Sequence, residues 1–321
     1  MSAARPPEGA RTAAREGEGT QVTAALSISY AECSARERLA RLIDAGSFHE
    51  WLPPSERVTS PHLAQLGVPS AFDDGVAVGR ALLAGRRVFV AAQEGEFMGG
   101  GVGEVHGAKL VGLLQRALRG RPDERPDAVL LLAESGGVRL HEANAGLIAV
   151  SEVMRALLDV RAAGIPVVVL IGGANGCFGG MGIVARCADW VVMSDMGRLA
   201  MSGPEVIEAS HGVDEFDARD RALVWRTTGG KHRWISGDCD ALVEDDVAAF
   251  RAAAIAALDA SAPVTLQRLE AEHALLATRL RLLPETVDGD EAMALWTRLG
   301  VADAARVPDL DAAAVRALRK P

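Results

Sequence analysis

Three glycine clusters stand where apolar runs give way to helix-like segments. The first runs from Gly95 to Gly107 with Gly99, Gly100 and Gly101 at its centre; the others are Gly136-Gly137 and Gly179-Gly180. A glycine pair opening a helix presents N–H groups that no side chain shields. The first helical turn leaves those groups unpaired, and the helix dipole places partial positive charge there. Two such turns aimed at one point can hold a thioester oxygen while it becomes an enolate, each donor contributing ~3–4 kcal/mol in the transition state. Taken singly, each pair is equally explained by a tight turn or by close helix–sheet packing. Three clusters in equivalent places favour the chemical reading.

Phosphate binding is the other use of such clusters, and the known patterns fail here. Counting from Gly103 towards a Walker loop reaches Ala108, Lys109 and Leu110, without the second glycine or the hydroxyl. Gly180, Gly182 and Ala185 match a dinucleotide fingerprint, but about eight residues separate them from Ile171, where a Rossmann turn follows its strand at once.

Several side chains near the clusters have chemistry of their own. Ser135 is a candidate nucleophile, but no G-x-S-x-G surrounds it, so a helix N-cap is the expected role. Arg139 and Glu142 fall on one face of the expected helix, as an ion pair or as the group that orients a substrate carboxylate. His106 is a candidate proton donor to an enolate carbon, against the simpler reading of a packed histidine. Lys231, His232 and Arg233 follow Gly229-Gly230 as a phosphate clamp or as a solvated loop.

The elements that must position these groups are legible. Residues 33–52 read as a first helix, and 71–93 as strands joined at Asp74-Gly75 and Ala84-Gly85. Leu110, Leu113, Leu114, Ala117 and Leu118 form one face of a helix ending at Gly120. "AVLLLAES" (128–135) and "PVVVLIGG" (166–173) are continuous apolar runs, as expected of strands covered on both sides. A long helix is expected from Leu140 to about Gly164, a shorter one to Ala188, then a strand at 189–194. Strand, glycine turn and helix therefore recur three times, which defines an α/β chain. Residues 262–283 and 290–300 read as later helices.

The 321 residues, 49% apolar, suit one large domain or two modest ones. No apolar run approaches the ~18 residues that span a bilayer, so no membrane partner is expected. A net charge of −9 disfavours nucleic acid. Cys33, Cys177, Cys187 and Cys239 have no C-x-x-C spacing, which points to reduced structural thiols and no metal site. Residues 1–28 are too poor in large apolar groups to offset their ordering entropy and read as a disordered tail without targeting features. A cytoplasmic location is the expectation.

"FMGGGVGEVHGAKL" (97–110), "SGGVRLHEANAGL" (135–147), "GCFGGMGIVARCADWVVMSDMGRLAMSGPEVIE" (176–208) and "RTTGGKHR" (226–233) together resemble the carboxyltransferase branch of the crotonase/ClpP-like superfamily. Within it they are most similar to the β subunits of biotin-independent malonate decarboxylases. The β subunits of bacterial acetyl-CoA carboxylase share several segments but carry a zinc ribbon that this sequence lacks. The resemblance implies a crotonase-like spiral of ββα units over 29–261, with a helical C-terminal extension over 262–321. It implies decarboxylation of a malonyl thioester to the acetyl thioester, with backbone oxyanion donors at Gly136, Gly137, Gly179 and Gly180. Arg139 and His106 fall near that site. Gly99, Gly100, Gly101, Lys109, Lys231, His232 and Arg233 fall where a CoA-like, phosphopantetheine-type group would pass, the bare backbone at 95–107 making room for it. That group would be carried by an acyl carrier protein. A homologous crotonase-fold γ subunit and an acyl carrier protein transferase are the further partners implied. A biotin-dependent acyl-CoA carboxyltransferase and a non-catalytic scaffold are the alternatives.

Overall fold

A computed structural model describes residues 27–67, 72–283 and 291–319. Seven strands form one sheet in chain order: β1 (His49–Trp51), β2 (Val76–Leu83), β3 (Arg86–Gln93), β4 (Ala128–Leu132), β5 (Val167–Ile171), β6 (Trp190–Ser194) and β7 (Ala241–Val243). The first three pair antiparallel, and β3 to β7 are parallel. Each parallel strand is laid beside its predecessor after an excursion over the sheet. All the turns that leave β3, β4, β5 and β6 consequently emerge at one edge. β4 and β5 are buried along their whole length, so their apolar runs carry no polar alternation.

Helices α2 (Glu104–Arg119), α3 (Ala145–Ala162) and α4 (Gly179–Arg186) cover one face of the sheet. Helices α1 (Ala35–Leu42) and α8 (Val247–Ala256) cover the other, with Tyr30 stacked on Phe250 at 4.0 Å between ring centroids. Beyond β6 lie α5 (Pro204–His211), α6 (Arg221–Thr228) and α7 (Gly230–Ile235), and towards the C-terminus α9 (Leu266–Leu282), α10 (Glu291–Arg298) and α11 (Ala312–Arg316). Trp296 of α10 and Val315 of α11 pack on Ile235 and Leu242 in a third apolar cluster, whereas α9 has no buried residue.

Three expectations are corrected in detail. The helix expected over 33–52 ends at Leu42, because the Asp44 carboxylate accepts the N–H groups of Ala84 and Gly85 and draws the chain back as β1. Asp74-Gly75 joins no strands; it precedes β2, with Gly75 N–H bonded to the Asp73 carboxylate at 3.0 Å. The long helix begins at Ala145, not Leu140, since Ala143 has φ +51° and residues 140–142 form a single 3₁₀ turn. Most of the tail expected over 1–28 lies outside the described residues. Its last two, Ser27 and Ile28, are hydrogen-bonded to Asp246 at the start of α8.

Candidate functional site

The second and third glycine clusters meet at the carboxyl edge of the sheet. A Cβ built on Gly179, whose φ is +61°, would lie 2.9 Å from the Cα of Gly137. The two turns are stitched together beneath this contact, where Phe178 N–H donates to the Ser135 carbonyl at 2.7 Å. Of the four backbone donors expected here, two are already occupied. Gly136 N–H donates to the Gly99 carbonyl at 2.8 Å, and Gly179 N–H to the Met201 carbonyl at 2.9 Å. Gly137 N–H makes only a long 3.2 Å bond to the Ser135 hydroxyl. Gly180 N–H, in the first turn of α4, has no acceptor among the described residues. The usable pair is therefore Gly137 and Gly180. Gly136-Gly137 also opens no helix, because a bridge at Val138 and the 3₁₀ turn intervene before α3.

Ser135 is neither a helix cap nor a nucleophile. It is fully buried, and its hydroxyl donates to the Gly137 carbonyl while accepting the Gly137 N–H, closing the turn on itself.

Arg139 is claimed by the protein. Its guanidinium forms two bonds to Asp73, at 2.6 and 3.0 Å, and a third to Glu142 at 3.2 Å, all buried. The same carboxylates cap α2: Glu142 accepts Glu104 N–H at 2.6 Å and Asp73 accepts His106 N–H at 3.0 Å. Burial pushes the Asp73 carboxyl up, but the Arg139 hydrogen bonds and charge outweigh it and hold it below its ordinary range. These two carboxylates compete with any substrate carboxylate for the one guanidinium, of which Nε alone is without a partner among the described residues. The ion pair expected with Glu142 is present, on a 3₁₀ turn and not on a helix face.

His106 has no exposed surface, and its Nε2 lies 2.9 Å from the Gln93 amide nitrogen. Burial, reinforced by Arg139 and Lys109 against the pull of Asp73, pushes it down to about 3. A neutral imidazole with no exposed surface is a weak acid out of reach of an enolate in the open site. Lys109 is buried as well, its Nζ directed at the backbone carbonyls of Asp73 and Val76.

The first cluster is bare for the protein's own sake. A Cβ on Gly95 would strike the Glu134 carboxyl, on Gly100 the Glu134 carbonyl, on Gly103 the Glu142 carboxyl and on Gly107 the Ala149 side chain. At Gly101 it would lie 3.1 Å from Arg139 Cγ; only Gly99 of this group opens into free space. Glu134 is the centre of this packing. It is buried against Arg38 of α1, accepts Asn175 N–H at 2.9 Å, and Asn175 in turn donates to the Gly95 carbonyl at 2.7 Å. Asp73, Glu134 and Arg38 escaped the sequence reading. An acid beside a glycine turn looks the same whether it faces water or a guanidinium remote in the chain.

Lys231, His232 and Arg233 lie on α7, not in a loop, and face three ways. Lys231 Nζ donates to the Pro308 carbonyl at 2.7 Å, and His232 Nδ1 accepts from Trp296 Nε1 at 3.1 Å. Arg233 bonds the Leu199 carbonyl and Asp238. His232 and Arg233 thus fasten α7 to its surroundings; Lys231 borders a cavity beyond β6 and Arg233 a separate one beside α9.

This geometry belongs to a carboxyltransferase of crotonase-like fold. Residues 31–277 match the carboxyl transferase domain, and the chain is a member of that family. It is 47% identical over 240 residues to a malonyl-S-ACP:biotin-protein carboxyltransferase of Malonomonas rubra, covering 72% of this chain and 75% of the relative. The methylmalonyl-CoA carboxyltransferase 12S subunit of Propionibacterium freudenreichii is 31% identical over 226 residues, 69% of this chain but 39% of the larger relative. Among solved structures, a Pseudomonas malonate decarboxylase hetero-tetramer in complex with malonate matches with a TM-score of 0.75 and 42% identity, over 85% of this chain and 97% of that one. A Pseudomonas malonate decarboxylase MdcD-MdcE hetero-dimer matches with a TM-score of 0.62 and 39% identity, over 78% and 96%. No helix among the described residues is long and apolar enough to cross a membrane.

Proposed function

We propose that the chain is the β-type subunit of a malonate decarboxylase, acting on a malonyl thioester carried by an acyl carrier protein through a CoA-like, phosphopantetheine-type arm. The single observation that carries this reading is the contact of Gly179 with Gly137, which seats the two glycine turns together, with the Gly180 N–H next in the chain unengaged at the start of α4. The bond between the malonyl methylene and its free carboxylate breaks, carbon dioxide leaves, and the electron pair enters the thioester carbonyl. The Gly137 and Gly180 N–H groups hold the resulting enolate oxygen, and the methylene carbon then takes a proton from the open side of the site.

The open side has apolar walls. Leu140, three residues after Gly137, is 84% exposed and Met201, whose carbonyl latches Gly179, is 70% exposed; Leu147 and Ile148 of α3 are exposed as well. Large apolar groups grouped in this way mark an interaction surface. A homologous γ subunit is the occupant we assign, consistent with the hetero-dimeric and hetero-tetrameric decarboxylases this chain resembles. An acyl carrier protein transferase would complete the assembly in the cytoplasm.

A second reading concerns the fate of the carboxyl group. The Malonomonas rubra relative is named for transfer to a biotin protein. The same enolate site serves both outcomes, since the steps differ only in what receives the carbon dioxide. Incubating the complex with labelled malonyl-carrier protein, with and without avidin, separates them. We expect labelled gas to be released regardless of avidin; inhibition by avidin would establish the biotin-dependent reaction instead. No release and no transfer, in a complex that still assembles, would leave a scaffold role.

A further inference from the structure

A cavity of about 670 Å³ opens between the last turns of α2 and the β2–β3 hairpin, at the edge of the sheet opposite the glycine turns. Gly112, Arg116 and Arg119 line it from α2, spaced so that they share one helix face. Arg80 of β2 and Arg87 of β3 line it from the sheet, with Trp51 of β1. All four arginines are exposed, so their donors can be reached from solvent. None has a carboxylate partner among the described residues. The two acids in the wall, Asp123 and Glu124, are taken instead by Arg121, at 3.8 and 2.7 Å. A cleft lined by unpaired charges of one sign repels itself and concentrates counter-ions. In a chain of net charge −9 this cleft is no by-product of a generally basic surface.

Two of the four guanidinium groups are already held in place. That of Arg116 lies over the Trp51 ring at 4.8 Å, and Arg87 Nη1 donates to the Asp123 carbonyl. Fixing the donors beforehand lowers the ordering cost of binding.

Gly112 is the second observation. Glycine within a helix is destabilising relative to alanine, and here no packing contact calls for it. A Cβ built on Gly112 would meet nothing within 4 Å. The missing side chain leaves bare helix surface in the cavity wall, as is found where a ligand lies close against the backbone.

We propose that this cavity binds a diphosphate-bearing metabolite, the diphosphate lying along α2 beside Gly112 and meeting Arg80, Arg87, Arg116 and Arg119. Guanidinium forks match phosphate oxygens bidentately, and two linked phosphates offer several anionic oxygens to several arginines at once. The site stands apart from the glycine turns and does not depend on the thioester reading above.

Isothermal titration of the full chain at fixed ionic strength tests the assignment, with inorganic pyrophosphate, inorganic phosphate, citrate and ADP as probes. Pyrophosphate should bind at least about tenfold more tightly than phosphate or citrate, the size of a charge-assisted contact. ADP binding more tightly still would identify a nucleotide as the source of the diphosphate, and ADP binding no more tightly would identify the free anion; both uphold the site. Arg116→Gln and Arg87→Gln should each weaken pyrophosphate about tenfold. Arg281→Gln, which removes the same charge from an exposed position on α9, should leave it unchanged. Gly112→Ala should raise the melting temperature, while Gly112→Leu should bind pyrophosphate more weakly in a fold no less stable, a combination that misfolding cannot produce. Citrate binding as tightly as pyrophosphate overturns the proposal. So do unchanged affinities in folded Arg116→Gln and Arg87→Gln variants, an equal loss in Arg281→Gln, or undiminished binding in Gly112→Leu.

Discussion

Gly179 approaches Gly137 so closely that a single added carbon on the first would sit 2.9 Å from the Cα of the second. This contact seats the turn that opens α4, whose next residue is Gly180, against the turn that carries Gly137. It also explains why glycine is required at 179, where φ is +61° and the space is taken.

Removing the Gly180 donor should cost rate and not binding, because the oxyanion exists mainly in the transition state. A Cβ at this position would lie 2.5 Å from Val150 Cγ1, so the test belongs in a Val150→Ala background. There, Gly180→Pro deletes the N–H and Gly180→Ala keeps it. We expect kcat to fall by ~10²–10³-fold for proline relative to alanine, with KM nearly constant. Equal kcat values in two folded variants would remove Gly180 from the oxyanion site.

The Arg38–Glu134 pair should govern stability and the turn together. Arg38→Met leaves a buried carboxylate uncompensated and should destabilise by ~3–5 kcal/mol. The double variant Arg38→Met/Glu134→Leu should recover much of that loss in denaturant melts. It should nevertheless lower kcat, since Asn175 and the 172–178 turn lose the Glu134 anchor. A double variant that restores both stability and kcat would show that the pair only packs.

Stability should decline with acid in two stages. His106 and His232 are each pushed from 6.5 to about 3, chiefly by burial. A depressed folded value means that the stabilisation is complete above pH 6.5 and is lost as pH falls towards 3. Asp73 is also depressed, so its share is present above the unfolded value near 4 and is lost only as pH drops through the folded one. Melting temperatures taken between pH 7 and 4.5 should therefore track the histidines. His106→Asn/His232→Asn should start lower and fall less steeply; an unchanged slope would assign the acid lability elsewhere.

Partner association should depend on the apolar wall beside the glycines. Leu140→Asp/Ile148→Asp adds charge at two exposed positions and should leave the isolated fold intact. Co-purification with the homologous subunit should be lost. A retained complex in sedimentation would move the interface to another face.

The basic residues Lys109, Arg116, Arg119, Arg121 and Arg125 follow the first glycine cluster in the sequence but do not gather beside it in the fold. Lys109 is buried, and the four arginines gather at or beyond the C-terminal end of α2. Sixteen helical residues span roughly 24 Å, which separates them from the glycine turn at the start of that helix. Arg116→Glu/Arg119→Glu should accordingly leave the KM for carrier-bound substrate unchanged at low salt.

The sequence by itself determined five of the strands, β2 to β6, the Ala84-Gly85 turn and the α/β class; β1 and β7 it did not. "AVLLL" and "VVVLI" are strands because burial on both faces permits no polar alternation. Glycine pairs announce bare backbone because no other residue supplies it. What each donor or charge is engaged with was decided only by the tertiary structure. The Gly136 and Gly179 N–H groups are spent on carbonyls of Gly99 and Met201, and Arg139 on a carboxylate 66 residues away. A residue type fixes what a group can bond; only the fold brings the partner that takes it, and of the four glycine donors it leaves the Gly180 N–H without one among the described residues.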